Sequence, residues 1–568
     1  MNRIYRLLFI TVLMFYSWTT MAQEWRSILY PADWVPPVDK NFYRDTVLQD
    51  FSYAGYHRGE KSIPQVESNI LNVSAAAYGA DNTGVKDVTS ILQQAIDDAA
   101  RKGGGVVYLP AGTYKISPQG GQAYALKISN SNIVLRGDGP GKTFLYNSSS
   151  AMREKSIILV EKPGSWNTGG KNNTRITRDL MMPATAIPVQ SVAGYRTGDL
   201  VIVRNTITEG WIRDHKMEDY WMEYRNKLPG ITYIREILAV NAATNELVID
   251  IPIRYALKTS DEARIYKAPE MLHEVGIEHL SIGNRQSFVP TGWQEEDYRA
   301  AGNGAYDAHD SYAINFNNGV NSWIRNVASY QPAENTSGTH ILSNGIRINE
   351  SKNITVEDCY FKNPQFGGGG GNGYMYRIMA NETLIKNCVA EFQRHGFVLS
   401  HMMASGNVFY RCTDLDAGNQ RGISGHEQTI GSGSDHHMHF SHSNLFDQCG
   451  VENSHLDARF RPWGDKPLHG LTAAHTVFWN TTSNGVQSHA VKTQQGRLGY
   501  AIGTTGLKSD VLTTAQHPGT EPITDPVDHV EGVGKGNSLL PQSLFSDQLR
   551  KRLQALDKDA RGKLPTNK

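Results

Sequence analysis

The chain of 568 residues lacks a long apolar run beyond its first two dozen residues, so no later segment qualifies as a bilayer-spanning helix. It lacks net charge: 56 basic residues balance 56 acidic ones, which argues against a nucleic-acid partner. Cysteine is scarce at four, too few for a small disulfide scaffold. Helical periodicity is missing from most of the second half. With 39% hydrophobic and 20% charged residues, what is left describes a large soluble globular chain rather than a disordered one.

From residue 320 onward a short pattern recurs: apolar, any, polar, small. It appears as Ile324-Arg325-Asn326-Val327, Val356-Glu357-Asp358-Cys359, Ile385-Lys386-Asn387-Cys388, Phe409-Tyr410-Arg411-Cys412, Phe446-Asp447-Gln448-Cys449 and Phe478-Trp479-Asn480-Thr481. The steps are 32, 29, 24, 37 and 32 residues, the size of a solenoid repeat. Short β-rich units separated by Gly, Asn and Ser predict a parallel β-helix with equivalent side chains stacked coil upon coil. All four cysteines share one slot of the repeat. They form either an inward stack of small side chains or disulfides between neighbouring coils.

At the front, residues 89–101 predict an amphipathic helix, with Asp87 or Thr89 as its cap and Gly103 to Gly105 as its stop. Such a helix would cover the first coil. The surrounding residues are Tyr78-Gly79-Ala80-Asp81, Gln94-Ala95-Ile96, Leu109-Pro110-Ala111-Gly112 and Tyr114. Together they resemble the opening signature of the pectate-lyase-like superfamily, and residues 133–145 fit its next coil. The resemblance implies an all-β fold, a single-stranded right-handed parallel β-helix over about residues 71–505. Residues 23–70 read as an N-terminal extension and 184–268 as an inserted β-rich subdomain. The remainder, 506–568, reads as a tail ending in a helix. More loosely, residues 50–64, the aromatic stretch 211–230 and the histidine-rich 434–444 resemble exported bacterial lyases of uronic-acid polysaccharides, including some that act on glycosaminoglycans.

Eleven of the nineteen histidines fall between His395 and His489. The stretch "SDHHMHFSHSN" alone holds His436, His437, His439 and His442. In an extended strand His437 and His439 share one face, and His436 and His442 the other. Nearby, "GGGGGNGYMYR" offers Asn372, Tyr374, Tyr376 and Arg377, "FQRHGF" offers Arg394 and His395, and "LDARFRPWGDKPLHG" offers Arg459, Arg461, Trp463 and His469. The glycine run is no phosphate loop, because no strand-to-helix junction surrounds it.

β-Elimination on a uronate needs its carboxylate neutralised, a base for the C5 proton and an acid for O4. Those residue types are present. Candidate catalytic residues are therefore His395, His437, His439, Tyr374, Tyr376 and Arg394. Candidate binding residues for an acidic polysaccharide or oligosaccharide are Asn372, Arg377, His436, Arg459, Arg461, Trp463 and Trp211. Hydrolysis needs two placed carboxylates. The only adjacent pair, Asp97-Asp98, lies on the front helix, no Gly-His-Gly element occurs, and "SGHE" at 424–427 is a poor substitute. Asp307, Asp310, Asp414, Asp416, Asp435 and Asp457 keep a hydrolase open, and a non-catalytic carbohydrate binder is the third class. No cofactor is expected. A divalent ion is the alternative: zinc at His437-x-His439 with Asp435, or calcium at "DAHD", 307–310.

Arg3 and Arg6, the apolar residues 7–16 and Thr20-Met21-Ala22 have the order of a secretory signal peptide, with no lipoprotein cysteine after them. A periplasmic or secreted protein is expected. N-terminal sequencing of the protein recovered outside the cytoplasm should begin at Gln23; a chain still starting at Met1 would overturn this reading.

Overall fold

The computed structural model describes residues 23–40, 46–166, 173–418, 433–485, 489–514 and 527–562. Parallel strands dominate. Each coil of the second half supplies three short strands, as in Leu384–Lys386, Val389–Glu391 and His395–Ser400. The next coil sets Val408–Tyr410, Thr413–Leu415 and Ser434–Met438 directly on them. Leu445–Asp447, Gly450–Glu452 and Leu456–Arg459 follow in turn. Three parallel ladders result, and the chain is a right-handed parallel β-helix as the sequence implied.

The repeat has a backbone cause. Its polar slot is the corner between the first two strands of a coil. There Asn326, Asp358, Asn387, Arg411, Gln448 and Asn480 all adopt left-handed φ values between 51° and 54°. Asn and Asp tolerate that region best among residues with a Cβ. The apolar slot two positions earlier then faces inward. Phe409 and Phe446 stack there with centroids 4.5 Å apart, and Phe478 lies 5.3 Å further along. In the small slot Cys359, Cys388, Cys412 and Cys449 are buried and unbridged, which resolves the alternative in favour of a packed thiol stack.

At the front, the helix Thr89–Arg101 buries Leu92, Ala95, Ile96 and Ala99 in the main core. Asp87 accepts from the Thr89 backbone N–H at 3.0 Å. The C-terminal helix, Leu544–Gly562, does not close the far end. Leu544 and Phe545 pack along the side of the solenoid with Phe51, Val408, Leu445 and Trp479, so the N-terminal extension and the tail share one seam. Coils also continue past residue 505, through His529–Glu531.

The insertion is a six-stranded antiparallel sheet in the order Ala184–Pro188, Glu246–Ile253, Thr232–Asn241, Leu200–Arg204, Arg264–Lys267, Thr174–Arg175. It starts ten residues before the expected boundary, because its edge strand is only two residues long and leaves no pattern to read. Buried ion pairs fasten it down: Arg235 and Arg254 meet Glu382 at 3.2 and 2.7 Å, and Lys352 meets Asp250. Among the described residues no helix is long and apolar enough to cross a membrane.

Phe446 sits between two stacked rings, so Phe446→Ala removes contacts on both sides and opens a cavity. It should cost about 3–5 kcal/mol in denaturant unfolding. A loss below about 1 kcal/mol would mean that the stack does not bear on stability.

Candidate active site

The third ladder carries the site. Tyr374 pairs with His395, Val398 with Asp435, and Asp435 with Asp457, so four successive coils each contribute a polar group to one cleft. Within the second of these couplings the register slips: Leu399 pairs with His436, but Ser400 pairs with Met438. His437 is the extra residue of this bulge, a device that re-aims a side chain. The cleft holds about 620 Å³ and is lined by Tyr374, Arg377, Arg394, His395, His437 and Arg461, with Trp463 and His469 on one wall. The opposite wall is Tyr298 with the glycine run. Gly370 has φ +74° there, and a Cβ would come within 2.6 Å of the Tyr298 ring.

Asp435 is the anchor. Its Oδ2 accepts from Arg461 Nη1 at 2.6 Å and from His437 Nδ1 at 3.0 Å, with His395 Nδ1 at 3.5 Å. Burial opposes its charge, but the Arg461 guanidinium and the hydrogen bond from His437 outweigh burial and hold the carboxyl well below the usual range. With Asp435 ionised, His437 keeps its proton on Nδ1. Its Nε2 therefore accepts from the Tyr374 hydroxyl at 3.0 Å. His395 Nδ1 donates to the Gly433 carbonyl at 2.7 Å, which leaves Nε2 as the lone-pair nitrogen. Burial pushes His395 down to about 3, so the ring is neutral near pH 7. Burial also raises Tyr374, which keeps the phenol protonated.

Arg377 and Arg394 flank the Tyr374 ring, their guanidinium carbons 5.7 and 6.0 Å from its centroid. Arg377 bonds the Tyr312 hydroxyl at 3.1 Å and Arg394 the Gly368 carbonyl at 2.5 Å. Among the described residues neither meets a carboxylate within salt-bridge distance. Asp457, held down to about 2 despite burial by its hydrogen bond with Arg459, also lines the cleft.

Several sequence candidates lie elsewhere. Tyr376 is in the core, stacked on Phe397 at 4.9 Å with its hydroxyl on the Cys359 and Val389 carbonyls. The four clustered histidines disperse, because His439 and Phe440 both adopt left-handed φ and end the alternation of an extended strand. His436 points inward, bonded to Ser441 at 2.7 Å and edge-on to Phe446. His439 bonds the Pro467 carbonyl at 3.2 Å, and His442 meets Tyr233 of the insertion at 2.9 Å. Only His437 reaches the cleft. Asn372 is fully buried and braces the floor, accepting from Asp310 N at 2.9 Å and Ser343 Oγ at 2.9 Å. Arg459 spends its charge on Asp457.

Trp211 stacks on His215 at 3.6 Å inside the insertion and cannot meet a ligand in the cleft. The aromatic stretch around it serves the cleft indirectly. Trp221 Nε1 donates to the Leu468 carbonyl at 2.8 Å, and Tyr220 packs on Phe460 at 5.2 Å. Both residues hold the loop that presents Trp463. Sequence reasoning missed Glu295, Glu296, Tyr298 and Arg299, which belong to a loop with no repeat signal. It gave Asp435 a different role, although Asp435-x-His437 spacing already puts both on one face.

His395, Asp435 and His437 are the one group of described residues that brings three metal-ligand atoms together, within 4.8 Å of one another. The carboxylate they share, Asp435, already holds the Arg461 guanidinium at 2.6 Å. A second cation there would meet a like charge, so the donor set fits a metal poorly. "DAHD" gathers no third ligand among the described residues, and "SGHE" at 424–427 lies outside them, as do residues 1–22.

Residues 70–218 match a family model described as rhamnogalacturonase A/epimerase, pectate lyase-like. That match covers about a quarter of the chain, and the β-helix runs on beyond it. Among characterised relatives, mannuronan C5-epimerase AlgE1 of Azotobacter vinelandii is 35% identical over 108 residues, 19% of this chain and 8% of the epimerase. Alginate lyase 7 of the same organism is 40% identical over 68 residues, 12% of this chain and 8% of the lyase. The chain therefore spans under a tenth of the length of either relative. Among solved structures, the alginate lyase of Paenibacillus sp. str. FPU-7 is 9% identical with a TM-score of 0.35, covering 78% of this chain and 96% of that one.

Acid should unfold this protein early. Burial pushes His395, His436, His442, His455 and His475 down to about 3, whereas an unfolded histidine takes a proton near 6.5. Below pH 6.5 the unfolded chain binds protons that the folded one refuses, so stability falls as pH falls toward 3. Burial raises Asp414, Asp447 and Asp528 to about 6, 7 and 6, which works the other way. Burial also lowers His340, His439 and His469 to about 4, 4 and 2, so the rings outnumber the carboxyls and acid is destabilising on balance. Melting temperature should hold above pH 7 and drop steeply from 6 to 4.5; a flat profile would contradict the burial of these rings.

Proposed function

We propose that the protein is a polysaccharide lyase that cleaves a uronic-acid-containing polysaccharide by β-elimination. The Tyr374–His437–Asp435 chain of hydrogen bonds carries the reading. Arg377 and Arg394, which pair with no carboxylate among the described residues, bind the uronate carboxylate and draw charge from C5. Tyr374 Oη takes the C5 proton while its own proton passes to His437 Nε2, and Asp435 stabilises the resulting imidazolium. As the C4–O4 bond breaks, the relay runs back and Tyr374 delivers a proton to O4. A C4=C5 double bond remains in one product, and the protein ends as it began. His395 Nε2 accepts a sugar hydroxyl, and Trp463 offers a face for a ring.

The relatives include epimerases as well as a lyase, and epimerisation shares the first step. It needs a second group able to return a proton to the opposite face of C5. The neutral His395 has no proton to give from Nε2, which favours elimination. Hydrolysis is disfavoured because Asp435 and Asp457, the buried carboxylates at this end of the cleft, are both held ionised and neither can act as the acid. Export to the periplasm or medium, proposed from the sequence, suits a polymeric substrate.

Ultraviolet absorbance of unsaturated uronide, followed on a panel of uronic-acid polysaccharides in D2O with and without EDTA, tests the reading. Absorbance should rise regardless of EDTA. Tyr374→Phe and His437→Ala should each lower kcat by about 10²–10⁴. Deuterium at C5 without unsaturation would identify an epimerase, and new reducing ends without absorbance a hydrolase. Affinity without turnover would identify a binding protein, and loss of activity in EDTA would restore His395, Asp435 and His437 as a metal site.

A further inference from the structure

Charge in the cleft is divided by depth. On the floor, Arg377 and Arg394 beside Tyr374 make no salt bridge among the described residues, so they place two guanidinium charges at a single sugar position. Arg461 is neutralised by Asp435, and Asp457 by Arg459. The rim has the opposite sign. Glu295, Glu296 and Asp465 line it and are exposed, with Arg299 the cation among them. Arg299 binds Glu296 at 2.5 Å and lies 3.9 Å from Asp465, while Glu295 makes no salt bridge among the described residues. Lys466, next in sequence to Asp465, is turned over the Tyr224 ring at 5.3 Å and does not line the cleft. The rim therefore keeps an excess of negative charge.

A chain of consecutive uronates would put one carboxylate on the floor and its neighbours against this rim. Like charges there raise the cost of binding, and the effect is screened by salt. A uronate set between uncharged sugars satisfies the floor and leaves the rim unopposed, with the half-buried Trp463 beside it as an apolar face for a neutral ring. We infer that the cleft selects polysaccharides in which isolated uronates alternate with uncharged sugars, and discriminates against homopolymeric uronates through Glu295, Glu296 and Asp465. This rests on the reading of the floor as a uronate site, and it differs from what the alginate-directed names of the relatives would suggest.

Binding separates this inference from the chemistry. Titration calorimetry on the Tyr374→Phe protein would compare hexasaccharides of alternating glucuronate and N-acetylhexosamine with hexamannuronate, hexaguluronate and hexagalacturonate at low and high salt. The alternating ligand should bind at least about tenfold more tightly at low salt, with the gap narrowing as salt rises. Adding Glu295→Gln and Asp465→Asn, which leaves the Arg299–Glu296 pair in place, should shrink the gap at least about fivefold. Equal or tighter binding of a homopolymeric hexasaccharide, or a gap that the double substitution leaves unchanged, would overturn the inference. If the wild-type protein forms no unsaturated product from any polymer, the elimination reading fails while these affinities still decide the selectivity.

Discussion

Everything at this site depends on register between coils. Tyr374, His395, Asp435 and Asp457 come from four successive turns of the solenoid, and none is near another in sequence except by the stacking of their strands. A slip of one residue in any ladder would turn its side chains to the opposite face. The left-handed corners at Asn387, Arg411 and Gln448 set where each strand starts, and the inward phenylalanine and cysteine stacks penalise any other alignment. Rigid strands then place the Tyr374–His437–Asp435 hydrogen-bond chain, which a set of loops would hold less tightly.

Within that frame a single buried carboxylate organises the chemistry. Asp435 fixes the proton of His437 on Nδ1, and that in turn decides which way the Tyr374 hydroxyl points. Arg461 allows the charge to remain buried. Removing Arg461 would leave Asp435 unpaired in a dry site, and the carboxylate would recover by taking a proton, which removes the orienting force on His437. The tautomer, not merely the presence of histidine, is what the site protects.

Much of the fold was legible because a solenoid repeats its constraints. The apolar-any-polar-small pattern is a direct print of strand, left-handed corner and inward stack, so the β-helix and the cysteine slot could be read from residues alone. The candidate site was legible only in part. Tyr374, Arg377, Arg394, His395, His437, Arg461 and Trp463 stand in the cleft, but Tyr376, His436 and His439 were assigned by proximity in sequence, and strand alternation and a bulge send them elsewhere. Glu295 and Arg299 lie on a loop whose path no local pattern specifies. Trp211 looked like a sugar platform because aromatic residues in a polar stretch serve a binding face and a small core equally well.

The Trp221–Leu468 hydrogen bond joins residues 247 positions apart. One wall of the cleft therefore has its footing in a subdomain made much earlier in the chain. The footing is mutual: Trp221 and Ile231 of the insertion share one core with Phe460 and Leu471, which stand on either side of the Trp463 loop. Two distant stretches of chain therefore settle as a single folding unit, and a change deep in the insertion would be felt at the wall of the cleft.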